Sequence, residues 1–259
     1  MIERLPPEPV VKPWGSTKLE PWFPNSSEQV GEMWFAGPPD SPLLIKFLFT
    51  TQALSVQVHP GDDYAREQHN SRGKTEMWHI LAAQPGAQIA AGLRQPLSAA
   101  ELRAAAESGE IEKLLAWQDA RPGDTFFIPA GTVHAIGGGL TLCEIQQKSD
   151  ITYRLYDYGR DRELHLDHGV RVSHLGPHDA RRTAREGVLA ECDYFTTEKY
   201  FIAGRKQIPS RDREQFLIVL QGAAEILGRP IRAGEVFRVP PGDPPVEIAG
   251  HAAILRTFA

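Results

Sequence analysis

Gly123-Asp124-Thr125-Phe126-Phe127-Ile128-Pro129-Ala130-Gly131-Thr132-Val133-His134 has the form G-x5-P-x-G-x2-H. Glycines permit tight turns at either end, the β-branched and aromatic run between them suits a short strand, and Pro129 ends that strand without needing a ladder hydrogen bond. His134 then opens the next strand. A second copy, Gly234-Glu235-Val236-Phe237-Arg238-Val239-Pro240-Pro241-Gly242-Asp243-Pro244-Pro245, keeps the frame and puts Pro245 where the histidine stood. Upstream of each copy lies an apolar strand entering a turn, Glu76-Met77-Trp78-His79-Ile80-Leu81 in one case and Gln215-Phe216-Leu217-Ile218-Val219-Leu220-Gln221-Gly222 in the other. Two copies of one strand-turn-strand pattern predict a mainly β chain built of two related β-barrels. One retains its histidine and works; the other is structural.

Reading outward, Leu43 to Val58 is a β-branched and aromatic text for two strands, and the first forty residues, rich in Pro, Trp and Gly, read as an extended arm. Helix is expected as a small insertion over about 98–120. Ser98 and Glu101 can form a capping box there, Leu102, Ala105, Ala106, Ile111, Leu114 and Leu115 recur at helical spacing, and Ser108-Gly109 breaks the run before an end near Trp117. The expected division is a catalytic barrel with its arm and insertion over residues 1–165, and a degenerate barrel over 166–259.

Composition agrees with this outline. In 259 residues, 23 glycines and 21 prolines exceed the average share of roughly 12% and imply many turns, hence many strands. Lysine and arginine number 28 against 33 acidic residues, for a net charge of -5 with both signs interspersed, which argues against a nucleic-acid partner or a membrane surface. The N-terminus carries neither the apolar core of a signal peptide nor a transit pattern, and no apolar run is long enough to span a bilayer, so a cytoplasmic protein is expected. Cys143 and Cys192 stand alone and are expected to be reduced thiols.

Four residues stand out for metal chemistry. Gln57 and His59 are two apart on one strand and therefore share a face, Glu76 lies on the next strand after the turn Pro60-Gly61-Asp62-Asp63, and His134 enters from the repeated motif. Two imidazoles, a carboxylate and an amide oxygen form a borderline donor set suited to one divalent ion, Zn²⁺ first, with Fe²⁺, Co²⁺, Ni²⁺ or Mn²⁺ also compatible. Each residue alone would be an ordinary polar group; their coincidence makes the site. His69, His79, His165, His168, His174, His178 and His251 read as surface or supporting residues.

The repeated motif resembles the second signature of the cupins, which are double-sheet jelly-roll barrels. Ser55-Val56-Gln57-Val58-His59-Pro60, Gly73-Lys74-Thr75-Glu76, Pro129-Ala130-Gly131-Thr132-Val133-His134-Ala135 and the run from Glu144 to Asp157 resemble type I mannose-6-phosphate isomerases of the short bacterial kind. Lys12-Pro13-Trp14-Gly15 and Glu163-Leu164-His165-Leu166-Asp167 fit the same family. The resemblance implies a metal-dependent isomerisation of a sugar phosphate, mannose 6-phosphate to fructose 6-phosphate, through a cis-enediol. It places the metal on Gln57, His59, Glu76 and His134, the acid-base chemistry on Lys74 and Glu144, and binding of the anionic substrate on Arg154 and Lys46.

One departure separates this chain from the family it resembles. Between Gly31-Glu32-Met33-Trp34 and Pro42-Leu43-Leu44-Ile45-Lys46 only Phe35 to Ser41 remain, where the family usually carries a longer helical segment. A more open mouth to the site is expected. Two other classes compete with the isomerase: a non-catalytic sugar-phosphate-binding cupin, against which Lys74, Glu144 and Arg154 speak, and another metal-dependent cupin enzyme such as a dioxygenase, against which the Gln57 and Glu76 pair speaks.

Overall fold

Short β-branched and aromatic runs broken by glycine and proline favour strands. The computed structural model, which describes residues 1–259, is accordingly 46% strand and 11% helix, a mainly β protein. The N-terminal arm carries β1 (Glu3–Arg4), β2 (Glu8–Ser16) and β3 (Val30–Ala36), and residues 37–42 lead straight into β4 (Leu43–Phe49), the abbreviated connection expected. A central segment follows with β5 (Val56–Val58), α1 (Asp62–His69), β6 (Glu76–Ala83), β7 (Gln88–Leu93), α2 (Ala99–Ser108), α3 (Ile111–Leu114) and β8 (Leu115–Asp119). It continues through β9 (Thr125–Ile128), β10 (His134–Ile136), β11 (Leu140–Gln147), β12 (Tyr153–Tyr156) and α4 (Leu166–Val172). The C-terminal segment holds β13 (Arg181–Arg182), β14 (Gly187–Glu191), β15 (Thr196–Ile208), β16 (Gln215–Ile226), β17 (Arg229–Arg232), β18 (Val236–Val239) and β19 (Val246–Phe258). No helix is long and apolar enough to cross a membrane.

The chain divides into two compact units, Leu48–Arg181 and the combination of Met1–Phe47 with Arg182–Ala259. This differs from a boundary at residue 165. The arm belongs with the C-terminal segment because β1 pairs with β18, Glu3 opposite Arg238. Residues 166–181 stay with the central unit because His174 N–H donates to Gly131 O and Leu97 N–H to Leu175 O.

In the central unit, β12-β5-β10-β7-β8 form one antiparallel sheet, and β6 pairs with β9 and β11 in a second. Alternation along the first sheet sends Val56, Val58, Ala135, Tyr153 and Leu155 to one face, where they pack with Leu102, Ala105 and Ile111 of the helical insertion. Gln57, His134 and Arg154 therefore occupy the opposite face. The Ser98–Glu101 capping box forms as expected. The insertion ends earlier than expected: residues 115–119 are strand, because Leu115 turns extended and β8 pairs with β7. Two helices were not anticipated, α1 and α4. Asp62 and Asp63 in the first turn and left-handed Asn70 at the end supply the start and stop of α1, where only a turn was expected.

The repeat recurs in three dimensions. Gly123 and Gly131 have φ of +88° and +84°, Gly234 and Gly242 +88° and +74°. Gly123 N–H donates to Ile80 O at 2.8 Å and Gly234 N–H to Val219 O at 2.8 Å, so Glu76 and Gln215 hold matching places, opposite Ile128 and Val239. The next strand matches as well: Glu144 lies opposite Trp78 where Arg256 lies opposite Leu217. In the C-terminal copy the places of Glu76, Glu144 and His134 are thus taken by Gln215, Arg256 and Pro245. Arg256 is fully buried, donating to Gln215 Oε1, to Pro209 O and to Glu198 Oε2. A guanidinium and its acceptors fill that interior. The strands there run longer than the short ones expected, with β15 and β19 paired from Thr196–Phe258 to Ile208–Val246.

Candidate functional site

Register sets the site. His134 pairs with Gln57, and Gln57 on its other side with Arg154, so three adjacent strands present these side chains in a row on one face. His59 follows β5 two residues beyond Gln57 and shares its face. From the second sheet, Glu76 and Trp78 on β6 stand beside Gln146 and Glu144 on β11. The two faces meet at His59, Glu76 and His134, whose donor atoms all lie within 4.8 Å of one another and are buried.

The hydrogen bonds show which atoms are aimed inward. His59 Nδ1 is 2.8 Å from Ile151 O and His134 Nδ1 2.8 Å from Thr132 O, so both rings carry their proton on Nδ1 and turn an Nε2 lone pair to the cluster. Each Nε2 lies 3.5 Å from a Glu76 oxygen. Burial is the main cause that lowers the His134 pKa to about 4, which keeps its imidazole neutral. The Glu76 carboxylate is buried, and its Oε2 is ion-paired with the Lys74 ammonium at 3.1 Å. Two convergent imidazole lone pairs and a buried carboxylate, balanced by the Lys74 ammonium at 3.1 Å, make a donor set that fits a divalent cation. The Gln57 amide reaches the cluster with Nε2 3.3 Å from His134 Nε2 while Oε1 accepts from Ser55 Oγ; a half-turn of the amide would present oxygen instead.

The expected acid-base residues lie in the same unit. The Lys74 ammonium is 3.1 Å from both His59 Nε2 and Glu76 Oε2. Its backbone is pinned by a bond from Lys74 N–H to Pro60 O, and a side chain at Gly73 would meet Asp62 N at 2.6 Å, so only glycine lets the chain pass so close before Lys74. Glu144 accepts from Trp78 Nε1 at 3.0 Å. Arg154 is half-buried, and its guanidinium makes no ion pair or hydrogen bond in the protein. Lys46 belongs to the other unit, where its buried ammonium lies 3.6 Å from Glu32 and 4.7 Å from the Trp34 ring.

Sequence reasoning missed Trp78 as the partner of Glu144, although its place two residues after Glu76 puts it on the same face. It also gave no hint of the carbonyls of Ile151 and Thr132 that set the histidine tautomers. His79 is buried and bonded to Thr125, a core group, and Cys143 and Cys192 are free thiols.

No family model matches the chain. The chain is 36% identical over 230 residues to the mannose-6-phosphate isomerase ManA of Bacillus subtilis, an alignment covering 82% of this chain and 73% of that protein. Its fold superposes with a TM-score of 0.85 on the crystal structure of the mannose 6-phosphate isomerase from Bacillus subtilis, at 29% identity and with 99% of each chain covered. A zinc-bound mannose 6-phosphate isomerase of known structure shares the fold at 14% identity, with a TM-score of 0.78 over 99% of each chain. By sequence across four fifths of its length and by fold across nearly all of it, the chain belongs to the mannose-6-phosphate isomerase family.

Proposed function

We propose that the protein is an aldose-ketose isomerase that interconverts mannose 6-phosphate and fructose 6-phosphate through a cis-enediol, using one divalent metal ion, zinc. The observation that carries this reading is the row Arg154, Gln57, His134 facing Glu76 and Glu144 across one interior, in a chain of this family.

His59 and His134 through Nε2, and Glu76 through its carboxylate, would hold the metal, with Gln57 able to complete the set. When bound, the ion supplies Lewis-acid polarisation of the sugar oxygens. The rest falls to this chain's own groups. A proton must pass between C1 and C2 of the open-chain sugar and another between the two oxygens, so the site needs an acid-base pair. Glu144, oriented by Trp78 Nε1, and Lys74, held beside Glu76, are that pair. Arg154 offers an uncommitted planar fork to the phosphate or to the negative charge of the enediolate. A pure binding protein would have no use for Lys74 and Glu144 buried at the ligand cluster, which disfavours the non-catalytic alternative.

The test couples metal analysis of the purified protein to an isomerase assay, mannose 6-phosphate in and fructose 6-phosphate out, before and after chelation and zinc restoration. Activity that disappears with chelation and returns with zinc is the expected result. Stoichiometric metal without turnover would overturn the isomerase reading in favour of a binding cupin.

A further inference from the structure

β12 is the outermost strand of its sheet and is bonded on one side only, to β5. The free side of such a strand leaves N–H and C=O groups open. At Arg154 both groups are taken up by one residue: the backbone N–H of His165 donates to Arg154 O at 2.8 Å, and Arg154 N–H donates to His165 Nδ1 at 3.3 Å. Since both polar backbone groups of Arg154 face away from β5, Arg154 and Gln57 form a pair not bonded to each other, the arrangement that brings opposed side chains closest.

His165 is itself held. It stands at the N-cap of α4, and Gly169 N–H donates to His165 O at 2.8 Å. α4 sits tightly on β12, where a side chain at Gly169 would meet Leu155 Cδ2 at 2.6 Å. Tyr153 stacks on His168 with centroids 5.0 Å apart, and its hydroxyl lies 2.7 Å from His69 Nε2 of α1.

We propose that His165 is a positioning residue for Arg154, holding it in register with Gln57 through a bond that only the neutral imidazole can accept. The proposal rests on the reading of Arg154 as the group that receives the substrate's negative charge. Because Nδ1 accepts, the proton of the neutral ring sits on Nε2, 3.8 Å from Glu163. The groups facing the ring are Arg154 and Tyr153 from β12, Glu163 from the preceding loop and His168 from α4. Burial, then the charge of Arg154, lowers the His165 pKa below its ordinary value, with Glu163 opposing and His168 adding to the shift, so the acceptor is intact at neutral pH. As pH falls through that pKa, Nδ1 becomes a donor facing a donor and the bond at Arg154 is lost.

The experiment compares the full-length, zinc-loaded wild type with His165→Ala, His165→Asn and Arg154→Ala, recording KM, kcat and bound metal from about pH 5.5 to 8. His165→Ala is expected to raise KM for mannose 6-phosphate about tenfold at neutral pH with metal content unchanged. His165→Asn, whose amide oxygen takes the place of Nδ1 and does not titrate, is expected to bring KM back to within about twofold and to abolish its rise on the acid side. A wild-type KM in His165→Ala, loss of metal from it, or an acid profile in His165→Asn identical to the wild type would each overturn the proposal. If His165→Ala does not fold, the His165→Asn profile decides alone. Arg154→Ala separates the two levels: if it is crippled while His165→Ala is normal, only the role of His165 falls; if Arg154→Ala keeps wild-type kinetics, the reading of Arg154 falls and takes this one with it.

Discussion

At the scale of single residues, His134 and Arg154 do different work from neighbouring strands, and substitution should separate them. His134→Ala removes one of two convergent Nε2 donors and is expected to lose metal and activity together. Arg154→Ala touches none of the three convergent donor residues and is expected to keep stoichiometric metal while turnover falls by at least about a hundredfold, in line with removal of a charge-stabilising donor. Metal analysis beside steady-state kinetics checks both. The buried imidazole also predicts a pH dependence. The folded-state pKa of His134 is about 4 against an ordinary 6.5, so between those values the unfolded chain takes up a proton that the folded chain declines. In chelated protein this contribution to stability is complete above 6.5 and is lost as pH falls towards 4. Denaturant melts of the chelated protein across that range, with His134→Gln as reference, should show a shallower acid decline in the variant.

At the scale of elements, the two copies of one strand-turn-strand unit show how a fold is kept when its site is given up. The glycines, the turn bonds and the strand pairing persist in β16, β18 and β19, while Gln215, Arg256 and Pro245 stand where Glu76, Glu144 and His134 stand in the other copy. A guanidinium cannot be left in a dry interior without acceptors, and Gln215, Glu198 and Pro209 supply them. Arg256→Met is therefore expected to destabilise the protein by roughly 3–5 kcal/mol in denaturant titration, because it leaves Gln215 Oε1 without its donor and the Glu198 charge with only the Tyr200 hydroxyl beside it. Replacing Pro245 by His should leave metal content unchanged, since Gln215 is already engaged by Arg256 and no carboxylate stands in the place of Glu76; a second equivalent of metal would contradict the reading of that copy as structural.

At the scale of the whole molecule, metal and fold are linked in the central unit. A cation held by His59, Glu76 and His134 joins two different sheets, and a ligand bound only by the folded state raises stability by mass action. Zinc added to chelated protein should raise the melting temperature of wild type and leave that of His134→Ala unmoved, measured by calorimetry. Much of this was legible beforehand. The repeated G-x5-P-x-G frame, the shared face of Gln57 and His59 and the Ser98–Glu101 box are local rules, set by residue spacing and backbone conformation over a few positions, and such rules read directly from a sequence. Residues 62–69 misled because Pro60-Gly61-Asp62-Asp63 suits a turn and a helix start equally well. Tertiary structure alone decided the rest. That β12 lies beside β5, placing Arg154 next to Gln57, that Trp78 reaches Glu144, that carbonyls of Ile151 and Thr132 set the imidazole tautomers, and that His165 closes the edge at Arg154 all depend on pairings between residues far apart in the chain. No local propensity encodes such pairings; they follow only when both sheets bury their apolar faces together and the register is thereby set.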